Sequence, residues 1–204
     1  FIMVKNFIKN FGKKYSTLIK KETNISKSKL LQKSVLDVGT GNGTYVYSLS
    51  PHVKSIYGLD NNKKILEKAR KRNRIFKYDN IRFYKMSVEN IYFKRKFDII
   101  LLNNLLRFTN VYPTLNKILN IVSDEGIIVI QIPLSFKNPI DERLDENSDN
   151  FDKNLYNKEI NAWLKIKELV KIFFKNYIKL YENSNEDRYI MIVNNKKKVE
   201  KLNN

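Results

Sequence analysis

Short apolar segments alternate with helical segments along the chain, and this alternation constrains the fold more than any other feature. Five of the apolar segments have the length of strands: VLDV, VKSIYGLD, IRFYKMS, FDIILLNN and GIIVIQIP. Helical patterns lie between them, including GTYVYSLS and KKILEKARKRN. Strands that alternate with helices are joined by right-handed crossovers and form a parallel sheet that is covered on both faces. The pattern therefore predicts a doubly wound α/β fold.

The end of the chain departs from this alternation, because two strand-like segments follow each other almost directly. YIKLYE and RYIMIVN come after the longest predicted helix, KEINAWLKIKELVKIFFKN, and only NSNED separates them. Strands this close in sequence pair antiparallel, as a hairpin. The complete prediction is a mainly parallel seven-stranded sheet with helices on both faces and an antiparallel C-terminal hairpin.

A few residues mark the predicted ends of helices. Pro51 ends the helix after the first strand, and Asn61 or Asn62 caps the helix after the second. Pro113 suits the first turn of the helix before the fifth strand, and Gly126 suits the position just after its end.

The 204 residues are predicted to form one domain, 1–204, because no repeat or linker divides the chain. Residues 1–33 are predicted as an N-terminal helical cap. Their opening, FIMVKNFIKNFGKKYSTLIKK, is basic like a transit peptide, but it has no Arg, little Ser and apolar residues at helical spacing. Residues 134–157 are predicted as an acidic insertion.

The composition is that of a globular protein, with 42% hydrophobic and 29% charged residues. Cysteine is absent, which excludes disulfides, thiolate metal sites and cysteine nucleophiles. No apolar run approaches the ~18 residues of a membrane span. We predict a cytoplasmic protein with no metal site and no membrane span; the oligomeric state is not predicted.

The net charge of +18 has two interpretations. It could mark a surface for nucleic acid. The chain is also crowded with Lys, Asn and Ile, whose codons are rich in A and T, so a biased genome could supply the charge. We favour composition bias and keep nucleic acid as the alternative.

Three glycines follow the first strand at alternate positions: Gly39, Gly41 and Gly43. In a parallel sheet, ligands bind beyond the carboxyl ends of the strands, and glycine lets a ligand approach the main chain closely. A dinucleotide fingerprint would read G-x-G-x-x-G over a pyrophosphate. Here the spacing is G-x-G-x-G, and Asp37 beside it would repel a pyrophosphate but hold an ammonium group. Asp60, at the end of the second strand, is placed for ribose hydroxyls, so the predicted ligand joins a cationic amino acid to a nucleoside.

At this point the chain resembles the class I S-adenosylmethionine-dependent methyltransferases. VLDVGTGNG is similar to their first motif, and GLD to the acidic end of their second strand. FYKMSVENIYF, FDIILLNNLL and LNKILNIVSDEGIIVIQIP resemble the segment before the adenine, the fourth strand and the fifth-strand unit. The terminal hairpin is also the family's. The resemblance covers nearly the whole chain, in the right order.

The resemblance implies S-adenosylmethionine as cofactor, S-adenosylhomocysteine as product, and a set of binding residues. The three glycines would shape the turn under the methionine part, Asp37 would orient its amino group, and Asp60 would take the ribose. Ser87 and Val88 would border the adenine, and Asn103 the methionine end. Thr40 and Asn61 complete the cofactor-binding set, and Tyr15 would close the cofactor from the first helix.

The chain departs from the family at two positions. The family often has Asp where Ser87 stands, so Ser87 or Glu89 would accept from the adenine amino group here. A common His after the fourth strand is Phe108 in this chain. His52, the only histidine, lies before the second strand and away from the ligand end, so no catalytic residue is assigned.

Other conspicuous residues receive structural interpretations. Asp98 is predicted as a structural acid at a strand start, and Trp163 and Phe173 as core. At most one of Tyr45 and Tyr47 faces the cofactor. The basic residues after Asp60 form a solvated helix face, with Lys63, Lys64, Lys68, Arg70, Lys71 and Arg72. The acidic stretch after the fifth strand is interpreted as a solvated loop or, in the functional alternative, as a substrate lid; it holds Asp141, Glu142, Asp145, Glu146, Asp149 and Asp152.

The sequence therefore predicts an S-adenosylmethionine-dependent methyltransferase that acts on an oxygen or nitrogen of a small molecule or glycan. The first alternative is a methyltransferase of RNA, either tRNA or rRNA. Within it, the lack of cysteine argues against methylation at pyrimidine C5, and the Asn/Asp-Pro-Pro-aromatic motif of exocyclic amino methylation is absent from LLNNLL. Methylation of ribose or of a ring nitrogen stays open. The second alternative is a non-catalytic cofactor-binding subunit.

Overall fold

The computed structural model describes residues 17, 26–133, 142–144, 146–175, 181–185 and 188–194. Within these ranges the α-helices are α1 Lys27–Leu30, α2 Thr44–Leu49, α3 Lys63–Phe76, α4 Val111–Ile121 and α5 Lys153–Phe173. The strands are β1 Ser34–Val38, β2 Ser55–Asp60, β3 Ile81–Lys85, β4 Phe97–Asn103, β5 Val122–Pro133, β6 Tyr181–Asn185 and β7 Arg188–Asn194. Short 3-10 helices span Ser50–His52, Val88–Asn90, Leu106–Phe108 and Glu142–Leu144.

The seven strands form one sheet in the order β3-β2-β1-β4-β5-β7-β6. β1 pairs parallel with both β2 and β4, so the strand order reverses direction at β1. β3 and β5 extend the parallel part on either side, and β7 pairs antiparallel with β5 and β6. The predicted fold class is therefore confirmed, including the antiparallel hairpin. Its strand reversal places the carboxyl ends of β1, β2 and β4 side by side, where ligands bind in such sheets.

Apolar side chains fill both faces of the sheet. Along β4, Ile100 and Leu102 belong to a core cluster with α4 and α5, whereas Ile99 and Leu101 belong to a second cluster with α2. Successive side chains of a strand point to opposite faces of the sheet. When helices cover both faces, the residues on both must therefore be apolar. Trp163 of α5 is only 4% exposed, in agreement with its predicted place in the core.

The fifth strand begins earlier than its sequence suggests. α4 ends at Ile121 and β5 starts at Val122, so Gly126 lies inside the strand and the prediction that it follows the helix end is wrong. Phe97 pairs with Val122 and Ile99 with Ile127, which shows a register shift in this part of β5. A Cβ on Gly126 would lie 2.6 Å from Val122 Cγ2. The glycine is needed for the close approach of the chain within this irregular strand.

The elements at the end of the chain are displaced from their predicted bounds. α5 starts at Lys153, before the predicted start of the longest helix, because Asp152 caps it: its Oδ1 accepts the N–H groups of Asn154 and Leu155 at 3.0 Å each. β6 includes Asn183 to Asn185, which the sequence suggested as a turn. β6 lies at the edge of the sheet and pairs only with β7. Edge strands often carry polar residues, so this part of β6 lacks the apolar pattern by which the other strands were predicted.

Parts of the predicted cap and insertion fall outside the described residues, namely 1–16 and 18–25 of the cap and 134–141 and 145 of the insertion. Tyr15 lies among them. Across the ranges that are described, no helix combines the length and apolar character that crossing a bilayer requires.

Candidate cofactor site

The glycine turn after β1 is built from left-handed backbone. Gly39, Gly41 and Gly43 have φ values of 73°, 54° and 80°, a region that side chains disfavour. The N–H groups of Gly39 and Thr40 both donate to the carbonyl oxygen of Leu59, at 2.8 and 2.9 Å. The turn is thus tied to the end of β2, and its shape depends on glycine.

The three glycines differ in what surrounds them. A Cβ on Gly39 would lie 2.8 Å from Leu105 Cδ1, and one on Gly43 would lie 3.1 Å from the Tyr47 ring. A Cβ on Gly41 would meet no atom within 4 Å. Gly39 and Gly43 are therefore required by packing as well as by backbone angle, whereas Gly41 faces open space.

Asp60 ends β2 and contacts both neighbouring segments. Its Oδ2 accepts the N–H of Gly41 at 2.9 Å, and its Oδ1 accepts the N–H of Asn62 at 2.9 Å. Asn62 itself caps α3, since its side chain accepts the N–H of Ile65. A carboxylate has about four acceptor sites, so Asp60 keeps acceptor capacity after these two bonds.

Asp37 is buried within β1, with 1% of its surface exposed. Its Oδ2 accepts the Thr40 hydroxyl at 2.7 Å. Burial raises the pKa of Asp37 from 3.8 to about 7; the nearby Asp60 charge also raises the pKa, while hydrogen bonds from Thr40 and Asn103 oppose the rise. An added positive charge near Asp37 would favour its ionised form.

A cavity of about 370 Å³ opens at the carboxyl edge of the sheet. Its walls come from the ends of β1, β2 and β4, from the segments that follow β1 to β4, and from Ile65 of α3. The lining residues are Val38, Gly39, Leu59, Asp60, Asn61, Ile65, Met86, Val88, Glu89, Asn103, Asn104, Leu105, Phe108 and Thr109. The volume lies at the lower end of the range for small-molecule and cofactor sites.

The segment after β3 supplies one wall. Val88 is 6% exposed and lines the cavity. Ser87 caps the following 3-10 helix by accepting the N–H of Glu89, and its hydroxyl also contacts the Glu89 carboxylate. Glu89, not Ser87, lines the cavity, which favours Glu89 of the two acceptors expected for an adenine amino group.

The structure brings half of the predicted cofactor set to this cavity. Gly39, Asp60, Asn61, Val88 and Asn103 line it. Among the described residues of the set, the others are not among the lining residues: Asp37, Thr40, Gly41, Gly43 and Ser87. Of the two side chains that hydrogen-bond Asp37, Asn103 lines the cavity, so the role of Asp37 toward a ligand would pass through Asn103.

Sequence reasoning missed the part of the cavity that follows Asn103. Asn104 has φ 54°, which is unusual for a residue other than glycine. Phe108, considered only for the histidine it lacks, lines the cavity with 75% of its surface exposed. Asparagine is the side chain that best tolerates this backbone region, so the pair Asn103-Asn104 at a strand end was the available signal.

Several residues have the structural roles that were predicted. Asp98 accepts the N–H and the hydroxyl of Ser34, both at 2.8 Å, and contacts Lys33 Nζ at 3.3 Å. Burial opposes its ionisation, but these hydrogen bonds and the Lys33 charge outweigh it and lower the pKa of Asp98. Tyr47 is core, 1% exposed, with its hydroxyl donating to the carbonyl oxygen of Ala69 at 2.7 Å.

Neither Tyr45 nor Asp152 is among the residues that line the cavity. The Tyr45 hydroxyl donates to Gln131 Oε1 at 2.9 Å. Asp152 is a helix cap, as described above. Within the described ranges, no group of three or more His, Cys, Asp and Glu side chains is arranged to hold a metal ion.

Comparison with known proteins agrees with this architecture. A family model described as a methyltransferase domain matches residues 31–195. No curated protein matches the chain. An rRNA methylase from Streptococcus thermophilus shares the fold with a TM-score of 0.56 at 17% identity, over 84% of this chain and 90% of that one.

Two further solved structures are similar over most of their length. The N-methyltransferase NodS from Bradyrhizobium japonicum WM9, in complex with S-adenosyl-L-homocysteine, has a TM-score of 0.61 at 12% identity, over 90% of this chain and 86% of that one. An S-adenosylmethionine-dependent methyltransferase from Clostridium acetobutylicum ATCC 824 has a TM-score of 0.56 at 14% identity, with 89% of each chain covered.

At these identities the structural likeness establishes the fold, and the family match over residues 31–195 establishes the family. The chain belongs to the methyltransferase-domain family, in the class I S-adenosylmethionine-dependent group that its sequence motifs predicted.

Proposed function

We propose that the cavity beside Asp60 binds S-adenosylmethionine and that the protein transfers the methyl group to an oxygen or nitrogen of a small molecule or glycan. S-adenosylmethionine is the cofactor of this family. The observation that carries the proposal is the position of the Asp60 carboxylate, at the end of β2 and in the cavity wall, beside a glycine turn of left-handed backbone.

The residues present fit this cofactor. Asp60 can accept from ribose hydroxyls with the acceptor capacity that Gly41 and Asn62 leave. Val88 offers an apolar wall to an adenine ring, and Glu89 offers a carboxylate beside it. Asn103 both lines the cavity and contributes to the pKa of Asp37, so it connects the buried carboxylate to the place expected for an ammonium group.

The chemistry asks mainly for alignment. The cofactor supplies a methyl group on a sulfonium, which is its own leaving group. The protein must hold an acceptor atom in line with that methyl group and keep competing water out, and such positioning provides much of the rate enhancement in two-reactant steps. A general base is needed only when the acceptor keeps its proton, so a Phe at position 108 is compatible with activity.

A second candidate function, methylation of RNA, is favoured by one observation. The outward side of α3 is strongly cationic and carries a single acid, Glu67. Its exposed cations are Lys63, Lys64, Lys68, Arg70, Lys71 and Arg74. A cationic surface of this kind binds phosphate backbones with an affinity that falls steeply as salt rises.

Release of S-adenosylhomocysteine from S-adenosylmethionine tests these alternatives. We would supply pools of small hydroxyl and amino compounds, amino sugars and total RNA, each at low and high salt. Release with the small-molecule or sugar pools, unaffected by salt, supports the proposal. Release only with RNA, lost at high salt, supports the second candidate. Cofactor binding with no release from any pool would identify a non-catalytic subunit.

A further inference from the structure

We propose that Phe108 and Asn104 form the acceptor subsite of this cavity, and that the acceptor presents a flat aromatic ring carrying a hydroxyl or amino group. This inference rests on the proposed function and specifies its substrate. Both residues line the cavity, both follow β4, and neither belongs to the predicted cofactor set.

The strand order separates this segment from the cofactor-binding residues that follow β2 and β3, and Asn103 at the end of β4 lies between the two groups. Asp60 and Val88 follow β2 and β3, on one side of β1, whereas β4 lies on the other side. A cofactor that spans from Val88 to Asn103 would leave the part of the wall that follows Asn103 for a second molecule. The cavity lining is continuous across these strand ends.

Phe108 is an apolar ring placed in the open. It is 75% exposed, although a large apolar side chain gains free energy from burial. Its position in a cavity wall gives that exposure a use, because aromatic rings attract one another in stacked or edge-on arrangements. Leu105 adds apolar surface to the same wall.

The segment that carries Phe108 contacts α5. It meets the ring of Trp163 at a centroid distance of 6.2 Å and an angle of 83°, and Trp163 is 4% exposed. The preceding residue, Arg107, donates from Nη2 to Glu159 Oε1 at 3.1 Å. Two contacts thus tie the 3-10 helix Leu106–Phe108 to α5.

Asn104 supplies a polar group to the same cavity. Its backbone is left-handed, with φ 54°, and its N–H donates to the carbonyl oxygen of Gln131 at 3.0 Å. Sparsely populated backbone of this kind concentrates at binding and catalytic sites. The exposed Asn104 amide offers both a donor and an acceptor, which suits an acceptor atom that carries a hydrogen and a lone pair.

The test uses saturation-transfer NMR on the full chain loaded with S-adenosylhomocysteine. The probes are phenol, naphthol and aniline, each paired with its saturated partner: cyclohexanol, decalinol and cyclohexylamine. We expect the aromatic member of each pair to bind about fivefold more tightly, as an aromatic contact predicts. Equal binding of the saturated partners would overturn the inference.

Matched variants locate the binding. Phe108→Ser and Phe108→Leu should remove the preference for the aromatic probes, and Phe108→Tyr should keep it. Asn104→Ala should weaken the binding of phenol more than the binding of benzene, a further probe that lacks a hydroxyl group. Tyr92→Ser is the control, because Tyr92 is 68% exposed and is not among the residues that line the cavity. Binding that survives Phe108→Ser, or that falls equally in Tyr92→Ser, would overturn the subsite.

Two further measurements distinguish failure of the proposed function from failure of the subsite, and a free small molecule from a nucleobase. If S-adenosylhomocysteine itself does not bind, the proposed function fails; if it binds and no aromatic probe does, only the subsite fails. A short single-stranded RNA distinguishes the source of the ring: binding that needs Phe108 and falls with salt identifies a nucleobase, whereas RNA binding independent of Phe108 leaves a free small molecule.

Discussion

The Asp60 carboxylate joins the glycine turn to the start of α3. It accepts the N–H of Gly41 on one oxygen and that of Asn62 on the other, both at 2.9 Å. The same side chain lines the cavity. Asp60 is therefore both a structural acid and the predicted ribose ligand, and the two roles need to be measured separately.

Asp60→Asn should weaken cofactor binding more than it weakens the fold. The amide keeps one acceptor oxygen, so we expect about 1 kcal/mol less free energy of unfolding, the typical value of one hydrogen bond. Loss of the charged acceptor should raise the Kd for S-adenosylhomocysteine about 10- to 100-fold, because hydrogen bonds to charged groups contribute more. Calorimetry and denaturant unfolding on the same sample measure both quantities.

Asp98→Asn is the matched control for Asp60→Asn. Asp98 binds Ser34 and Lys33 at the start of β4, far along the strand from the cavity. Its loss should lower the free energy of unfolding and leave the Kd unchanged. If Asp60→Asn behaves like Asp98→Asn, Asp60 has only a structural role.

The glycines of the turn should respond differently to an added methyl group. Gly43→Ala meets the Tyr47 and Phe83 rings at 3.1 and 3.2 Å, so it should destabilise the fold more than Gly41→Ala does. Gly41→Ala enters open space and should cost only about 1–2 kcal/mol for its left-handed backbone. If a ligand approaches this turn, Gly41→Ala should also raise the cofactor Kd beyond its effect on stability. An unchanged Kd in Gly41→Ala would contradict that approach.

The sequence predicted those parts of the fold whose signal is local. β1 and β4 are buried along nearly their whole length because helices cover both faces of the sheet. Their sequences are therefore nearly continuous apolar runs, which are easily recognised. Gly126 was misassigned as a residue after the helix end. A glycine is required there because the Val122 side chain lies close and the register of β5 shifts nearby, and no local sequence pattern reveals either feature. The start of α5 was missed because Asp152 was read as part of an acidic stretch rather than as a cap.

The candidate site was predictable where it follows a family motif and not elsewhere. Asp60 and Val88 lie at strand ends that the motifs identify. Phe108 gains its importance from exposure in a cavity, which depends on how α5 and β4 pack. The burial of Asp37 likewise follows from strand pairing, and the high pKa follows from that burial.

Asp37 should make the stability of the free protein depend on pH. Its pKa is about 7 in the fold against 3.8 for the ordinary carboxyl, so the folded state binds more protons between these values. The free energy of unfolding should therefore fall as pH rises from about 4 to 7. Relative to the unsubstituted protein, Asp37→Asn should leave the free energy of unfolding unchanged near pH 4 and raise it by up to about 4 kcal/mol above pH 7. Denaturant unfolding at each pH measures this difference.

A cationic cofactor should reverse that effect of Asp37. Pairing with an ammonium group favours the ionised carboxylate, so affinity should rise with pH through about 7. The Kd for S-adenosylhomocysteine should be about tenfold weaker at pH 6 than at pH 8, where most Asp37 is ionised. Asp37→Asn should flatten this dependence; a dependence that persists in the variant would assign it to another group.

Asp152→Ala separates the helix cap from the predicted lid. Loss of the cap to Asn154 and Leu155 should cost about 1 kcal/mol of stability, with the cofactor Kd unchanged. Thermal unfolding measures the first and calorimetry the second. Unchanged stability together with a higher KM for the methyl acceptor would instead give Asp152 a role toward substrate.

The most direct test of the central claim is calorimetry of the purified protein at pH 8 with S-adenosylhomocysteine and, separately, with NAD. The Asp60 carboxylate and the acid beside the glycine turn should accept the sulfur nucleoside and repel a pyrophosphate. We expect binding of S-adenosylhomocysteine at a Kd of about 1 μM, which is about −8 kcal/mol, and no measurable binding of NAD. Tight binding of NAD with no heat from S-adenosylhomocysteine would contradict the account.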